Sequence, residues 1–186
     1  MTGRPLYLIG FMASGKTTLG RALVASMQGY SFIDLDQAVE EREGKSVSAI
    51  FADCGAEYFR QAERETLRQV SGPGCIIACG GGTPCYADNM DYMLAHGYVV
   101  WLQADDEVTA RRLRLAPGQR PLVDSLLDRP EELRKHILRL RSERSPFYSR
   151  ANAVFDSNRL EDKEQIEQSC KVFVDELWAP YIKTIN

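Results

Sequence analysis

The stretch Gly10-Phe11-Met12-Ala13-Ser14-Gly15-Lys16-Thr17 fits the pattern G-x-x-x-x-G-K-[ST] and stands between a short apolar run and a helical pattern. Bound phosphates need many convergent N–H donors. Glycines let a backbone wrap closely around them, and a helix N-terminus adds partial positive charge. In such a loop Lys16 reaches toward β- and γ-phosphates. The Thr17 hydroxyl is offered to Mg²⁺, a cation that keeps several waters and takes few protein ligands. A glycine turn that only joins a strand to a helix is the plainer alternative, and the specified positions together with both flanking elements speak against it. The loop by itself leaves open a kinase, a GTPase switch or a transport ATPase. A GTPase would also carry an NKxD-type guanine-reading motif, which the sequence lacks, and an ATP-cassette protein would need a much longer chain.

Outward from the loop, short β-rich runs alternate with helical patterns. The runs are Pro5–Ile9, Ser31–Ile33, Cys75–Cys79, Tyr98–Leu102 and Ala153–Phe155. This alternation is the signature of βαβ units and predicts an α/β fold, a parallel sheet with helices on both faces. Helices are predicted at Gly15–Met27, Gln37–Glu43, Ser46–Asp53, Ala56–Val70, Ala87–Ala95, Asp106–Arg114, Pro130–Ser149 and Glu161–Leu177. Asp36 and Ser46 read as N-caps, Gly44 and Gly55 as stops. Three helices in a row between the second and third strands suggest a substrate-binding subdomain at about 35–62. Pro117, Gly118 and Pro121 interrupt a helical region and predict a mobile loop at about 115–127. A single domain is expected over 1–178, followed by a loose tail, 179–186.

With 44% hydrophobic and 26% charged residues the 186-residue chain reads as globular. A net charge of −3 argues against a nucleic-acid binder, so anion binding is expected to be local. No apolar stretch approaches the roughly 18 residues of a membrane span, and Leu6–Ile9 is too short for a signal segment, so neither membrane nor nucleic acid is an expected partner and the cytoplasm is the expected location. The five cysteines are odd in number, with no CxxC pair, and read as small buried residues rather than a disulfide framework or zinc site. His96 and His136 lie far apart, without evident partners, and read as bland surface or interface positions.

Four further features carry chemistry. Asp34 and Asp36 end the second strand, where ligands gather in open α/β sheets, and can take different jobs, one near a metal and one near an acceptor hydroxyl; a helix cap alone is the alternative for Asp36. Gly80-Gly81-Gly82 ends the third strand, and without Cβ atoms its backbone can approach a ligand and offer N–H groups to an anion; a structural turn is the alternative. Arg60, early in a helix, is not placed for the macrodipole, and Arg144 closes a helix crowded with charges, among them Arg139 and Arg141, that read mostly as a solvated face. Arg120 sits beside Pro121 in the interrupted loop, where a closing lid would deliver an arginine to a transferring phosphoryl group and exclude water.

Taken in order, GFMASGKT, DLD at Asp34–Asp36, FRQAE at Phe59–Glu63, GGG at Gly80–Gly82, RPL at Arg120–Leu122 and RSPFY at Arg144–Tyr148 resemble the shikimate kinase family along nearly the whole chain. The resemblance implies a three-layer α/β/α sandwich with a five-stranded parallel sheet of order 2-3-1-4-5. It implies ATP as co-substrate, bound by Ala13, Ser14, Gly15, Lys16, Thr17 and Thr18, and Mg²⁺ held by Thr17 and Asp34. Asp36 is implied to bind and orient the acceptor hydroxyl, and Arg60 and Arg144 to clamp the shikimate carboxylate beside the Gly80, Gly81 and Gly82 N–H groups. Arg120 matches the lid arginine, and Arg112 and Arg159 match a pair near the adenine. Phe51 and Phe59 offer apolar walls, and Glu63 a partner for Arg60.

The implied reaction moves the γ-phosphoryl of ATP to the 3-hydroxyl of shikimate, giving shikimate 3-phosphate and ADP, a step toward chorismate and the aromatic amino acids. Lys16, Asp36 and Arg120 are its catalytic candidates, in a protein expected to be a monomer. Two departures stand out. Ala13 replaces a frequent Gly and implies that the backbone there avoids positive φ. Cys79 replaces a frequent Thr or Ser and weakens a possible contact to a metal-bound water.

Overall fold

The computed structural model describes residues 3–115, 123 and 125–185. Strand β1 (Leu6–Ile9) is buried at every residue and lies at the centre of a five-stranded sheet. Beside it run β2 (Ser31–Asp34), β3 (Cys75–Ala78), β4 (Tyr98–Gln103) and β5 (Ala153–Asp156), in the order β2-β3-β1-β4-β5. Every pairing is parallel, which is the topology the resemblance implied. Side chains alternate across a strand, so β1 feeds two cores. Leu6 and Leu8 meet Ile76, Val100 and Leu102 under α1 (Lys16–Leu23) and α7 (Lys163–Phe173). Tyr7 and Ile9 meet Ile77 and Val99 on the other face, under α3 (Val47–Val70), α4 (Asn89–His96) and the end of α6 (Pro130–Tyr148). Burial on both faces explains why these strands read as unbroken apolar runs.

The register fixes the site. Leu8 of β1 and Asp34 of β2 both stand opposite Ala78 of β3, so the residues that follow each strand emerge at one edge. Those residues are Gly10 onward, Asp34–Asp36 and Cys79–Gly82. Because β1 has β3 on one side and β4 on the other, the order in which strands are laid down reverses across it, and a crevice opens at the carboxyl ends.

Two expectations are corrected here. Asp34, not Asp36, caps α2 (Leu35–Glu43): its carboxylate accepts from the Asp36 N–H at 3.2 Å, because β2 turns directly into the helix with no intervening residue. Gly55 interrupts the helix as expected: at φ 84°, ψ 174°, a conformation glycine adopts without Cβ strain, it kinks α3 into two helical stretches. Ser46 does cap α3, accepting from the Ala49 N–H at 3.2 Å. The segment expected as a loose tail is instead helical. One π-helical turn, Val174–Trp178, continues α7 into α8 (Ala179–Ile185). It brings Trp178 against Tyr30 and Tyr98, and the Tyr181 ring stacks on Tyr98 at 4.0 Å. Tyr98 lies some eighty positions earlier, so local sequence gave no sign of this packing.

Smaller clusters flank the sheet. Val39, Ile50, Phe59 and Ala62 join α2 to α3, while Phe11, Leu113, Val123, Leu133 and Ile137 join the phosphate-loop residue Phe11 to α5 (Asp106–Leu115) and α6. Among the described residues no helix is long and apolar enough to cross a membrane.

Candidate active site

The carboxyl edge of the sheet opens into a cleft of about 1450 Å³. One end of it is the turn from β1 into α1. Ala13, Gly15, Lys16, Thr17 and Thr18 face the cleft, while Ser14 is turned under the loop and buried. The Lys16 ammonium donates to the Gly10 and Phe11 carbonyls at 3.1 and 2.8 Å and to Ser14 Oγ at 3.4 Å, so the cation lies across the mouth of its own loop. Thr17 Oγ1 donates to Asp34 Oδ2 at 2.9 Å, which joins the hydroxyl and the carboxylate expected at a metal. Ala13 departs from its expectation: its φ is +58°. The loop geometry imposes the left-handed conformation whether or not the residue is glycine, and an L-residue there costs roughly 1–2 kcal/mol.

Arg112, on α5, closes this end. Its guanidinium donates to the carbonyls of Ala13, Ser157 and Asn158 at 3.3, 3.0 and 3.1 Å and lines the cleft. Arg159 is exposed and is not among the cleft-lining residues, although its neighbours Leu160 and Glu161 are. Arg120 and most of the segment expected as a lid lie outside the described residues.

The other end is built from side chains drawn from distant parts of the sequence. Arg60 Nη1 donates to Glu63 Oε2 at 2.5 Å, one helical turn away on α3. Glu63 is wholly buried, and its second oxygen accepts from Thr83 Oγ1 at 2.6 Å, so a carboxylate that would be costly alone has both oxygens satisfied. The triple glycine is explained by what surrounds it. A Cβ on Gly80 would lie 2.6 Å from Glu63 Oε1 and 3.0 Å from Asp36 Oδ1; on Gly81 it would lie 2.9 Å from Arg144 Nη1; on Gly82 it would collide with the Arg60 guanidinium. The three missing β-carbons are therefore where two arginines and two carboxylates approach the backbone. Phe51 and Phe59 pack ring to ring at 4.6 Å and wall this end, with the Arg60 guanidinium 5.1 Å from the Phe59 ring.

Asp36 is exposed to the cleft between the two ends, and the protein atoms packed around its carboxyl withdraw it in part from bulk water. Burial first, then the neighbouring Glu63 and Asp34 carboxylates, push its carboxyl up to about 6, against the pull of Lys16 and Arg60. Such a group changes charge close to neutral pH, which suits an acceptor of a proton from a hydroxyl. Cys79 is buried behind the glycines, and burial holds its thiol firmly protonated. Of the other cysteines Cys170 is buried, Cys75 and Cys85 are half-buried and Cys54 is exposed, so only part of the set follows the expectation of small core residues.

Two residues escaped sequence reasoning. His136 lines the cleft on α6, two turns before Arg144, rather than sitting on a bland surface. Arg141 is held among α5 and Phe11 instead of joining the solvated face formed by Arg134 and Lys135. For His136 the available signal was spacing: 136, 140 and 144 recur every four residues along one face of the helix.

The comparisons with known proteins agree with this geometry. The family model described as "Shikimate kinase" matches residues 12–175. A shikimate kinase of Phocaeicola vulgatus is 44% identical over 88% of this chain and 93% of its own length. The crystal structure of shikimate kinase from Bacteroides thetaiotaomicron superposes with a TM-score of 0.88 at 39% identity, covering 94% of this chain and 98% of that one. Shikimate kinase from Acinetobacter baumannii, solved in complex with shikimate, superposes at 0.81 with 26% identity, covering 96% and 95%. A match over this span at these identities means that the chain belongs to the shikimate kinase family.

Proposed function

We propose that this chain transfers the γ-phosphoryl group of ATP to the 3-hydroxyl of shikimate, with the work divided between the two ends of the cleft. The observation that carries the reading is the pair of guanidiniums, Arg144 set against Gly81 and Arg60 against Gly82, beside the Asp36 carboxylate at Gly80. Planar guanidinium groups bind a planar carboxylate through paired N–H donors, and the Gly80–Gly82 backbone adds its own. That places the acceptor hydroxyl toward Asp36, which accepts its hydrogen bond and later its proton. Positioning does most of the rest, because a loose phosphoryl transition state asks little covalent chemistry of the protein.

At the nucleotide end the backbone from Ala13 to Thr18 receives the phosphates, and Lys16 exchanges its loop carbonyls for phosphate oxygens. Thr17 and Asp34 are a hydroxyl and a carboxylate already in contact, a hard-oxygen pair that fits Mg²⁺. Among the described residues no group of three His, Cys, Asp or Glu comes together to hold a metal alone, so waters and phosphate oxygens would complete the shell. When bound, the ion neutralises charge developing on the β- and γ-phosphates. Arg112 is assigned to the adenine side from its place over Ala13. Arg159 and the lid arginine Arg120 keep their assignments by family resemblance alone, as do the subdomain at 35–62, the lid at 115–127 and a monomeric cytoplasmic protein.

The direct test is ADP release with Mg²⁺ and ATP, offering shikimate, gluconate and a nucleoside monophosphate separately. Turnover with shikimate alone is expected. Turnover with either of the others, and none with shikimate, would overturn the reading.

A further inference from the structure

Arg141 stands one helical turn before Arg144 on α6 and makes more contacts than a surface arginine needs. Its Nη1 pairs with Asp106 Oδ1 at 2.6 Å, and its Nη2 donates to the Ala104 carbonyl and to Thr109 Oγ1, both at 2.7 Å. The three acceptors belong to the end of β4 and the first turn of α5, the helix that carries Arg112 to the phosphate loop. The same guanidinium lies 5.4 Å from the centre of the Phe11 ring, and the Arg144 guanidinium lies 5.7 Å from that ring. Phe11 is the second residue of the phosphate loop and is buried. One aromatic ring is thus shared by two arginines, within the range where a ring's negative face attracts a cation.

We propose that Arg141 is a positioning residue for the acceptor site, which acts by pinning the Phe11 ring on which Arg144 rests. The inference depends on the reading of Arg144 as a carboxylate-binding group. Three fixed acceptors anchor the Arg141 guanidinium in one orientation, which a flexible ammonium could not reproduce. A second cavity, of about 270 Å³, adjoins Phe11, Trp101, Asp106, Arg141 and Tyr148. With Arg141 removed, the ring has room to turn into that space, and Arg144 loses the surface that sets its distance from the triple glycine. At the nucleotide end it is the Phe11 backbone carbonyl, not its ring, that holds Lys16, and Arg112 reaches Ala13, Ser157 and Asn158 from the last turn of α5, so turning the ring leaves these contacts in place. A tie that merely held α5 to α6 would lower thermal stability without favouring one ligand over the other.

The experiment is calorimetric titration of shikimate and of Mg-ADP into the unaltered full-length protein, Arg141→Gln, Arg141→Lys, Phe11→Leu and the Arg141→Gln/Phe11→Leu double variant, with melting curves alongside. Arg141→Gln is expected to weaken shikimate binding roughly tenfold while Mg-ADP stays within about twofold, and Arg141→Lys to recover only part of the loss. If both changes act through one ring, the double variant binds shikimate no more weakly than the worse single variant. Equal weakening of both ligands, no change in either, or full additivity of the two changes would overturn the proposal. Should Arg141→Gln fail to fold, the same split in Arg141→Lys decides. Absence of shikimate binding by the unaltered protein would instead sink the functional reading, and this inference with it.

Discussion

In the proposed reading the two ends of the cleft solve the same problem, holding an anion, by different means. The nucleotide end relies on backbone N–H groups in one unbroken stretch, hung directly from the buried central strand β1. The acceptor end relies on the side chains of Arg60 and Arg144, more than eighty positions apart, and on glycines that leave room for them. Backbone recognition fits any polyphosphate, whereas crossed guanidiniums fit a planar carboxylate at one distance. The difference teaches where specificity resides: the shared chemistry is local, and the choice of acceptor is tertiary.

Substitutions sharpen or break this contrast. The largest effect is expected between the two ends, at Asp36. Asp36→Asn should lower kcat by roughly 10²–10⁴ with little change in Mg-ADP affinity. With the carboxyl held up to about 6, turnover of the unaltered enzyme should fall as pH drops below that value, since the ionised form is the proton acceptor. For stability the sign is opposite. A folded pKa above the unfolded one means that the contribution is fully present below about 4 and is lost as pH rises through about 6. Asp36→Asn should therefore raise the urea midpoint at pH 7 while it removes activity, and a lowered midpoint there would show that the carboxylate is not under strain.

Lys16→Ala follows, with kcat lower by roughly 10²–10³ and shikimate affinity unchanged in calorimetry. A parallel loss of shikimate binding would join the two ends that the structure keeps apart. Gly82→Ala should act on the other end alone, because its Cβ meets the Arg60 guanidinium. Displacing that group should raise the shikimate KM roughly tenfold, with the ATP KM unmoved, an overpacking effect of about 1–3 kcal/mol. The smallest change belongs to Ala13→Gly. Relief of the positive φ is partly offset by the greater freedom of glycine in the unfolded chain, leaving a gain of up to about 1 kcal/mol in denaturant unfolding.

The same contrast decides what was legible in the sequence. The phosphate loop and the strand runs could be read directly, because periodicity and a contiguous motif are local properties, and the sheet formed at the expected runs. At the acceptor end each residue was ambiguous by itself, and only the order of six motifs pointed to a family. What stayed hidden depends on contacts between distant segments. Arg141 reads like its solvated neighbours Arg134 and Lys135 until α5 and Phe11 are folded against it. The α8 helix follows from Tyr98 meeting Trp178 and Tyr181. Positive φ at Ala13 comes from the loop's shape and overrides the preference of the residue. Likewise the glycines were read as donors to a ligand, whereas the structure shows first that they make room for charged side chains.

The division of labour is tested most directly by titrating shikimate, shikimate methyl ester and Mg-ADP into the unaltered protein and into Arg60→Ala. The unaltered protein should bind shikimate far more tightly than its ester, since the ester offers no charge to Arg60 and Arg144. In Arg60→Ala the preference should shrink by roughly 10²-fold, with Mg-ADP binding unmoved. Equal affinity of the unaltered protein for acid and ester, or loss of Mg-ADP binding in Arg60→Ala, would contradict the account.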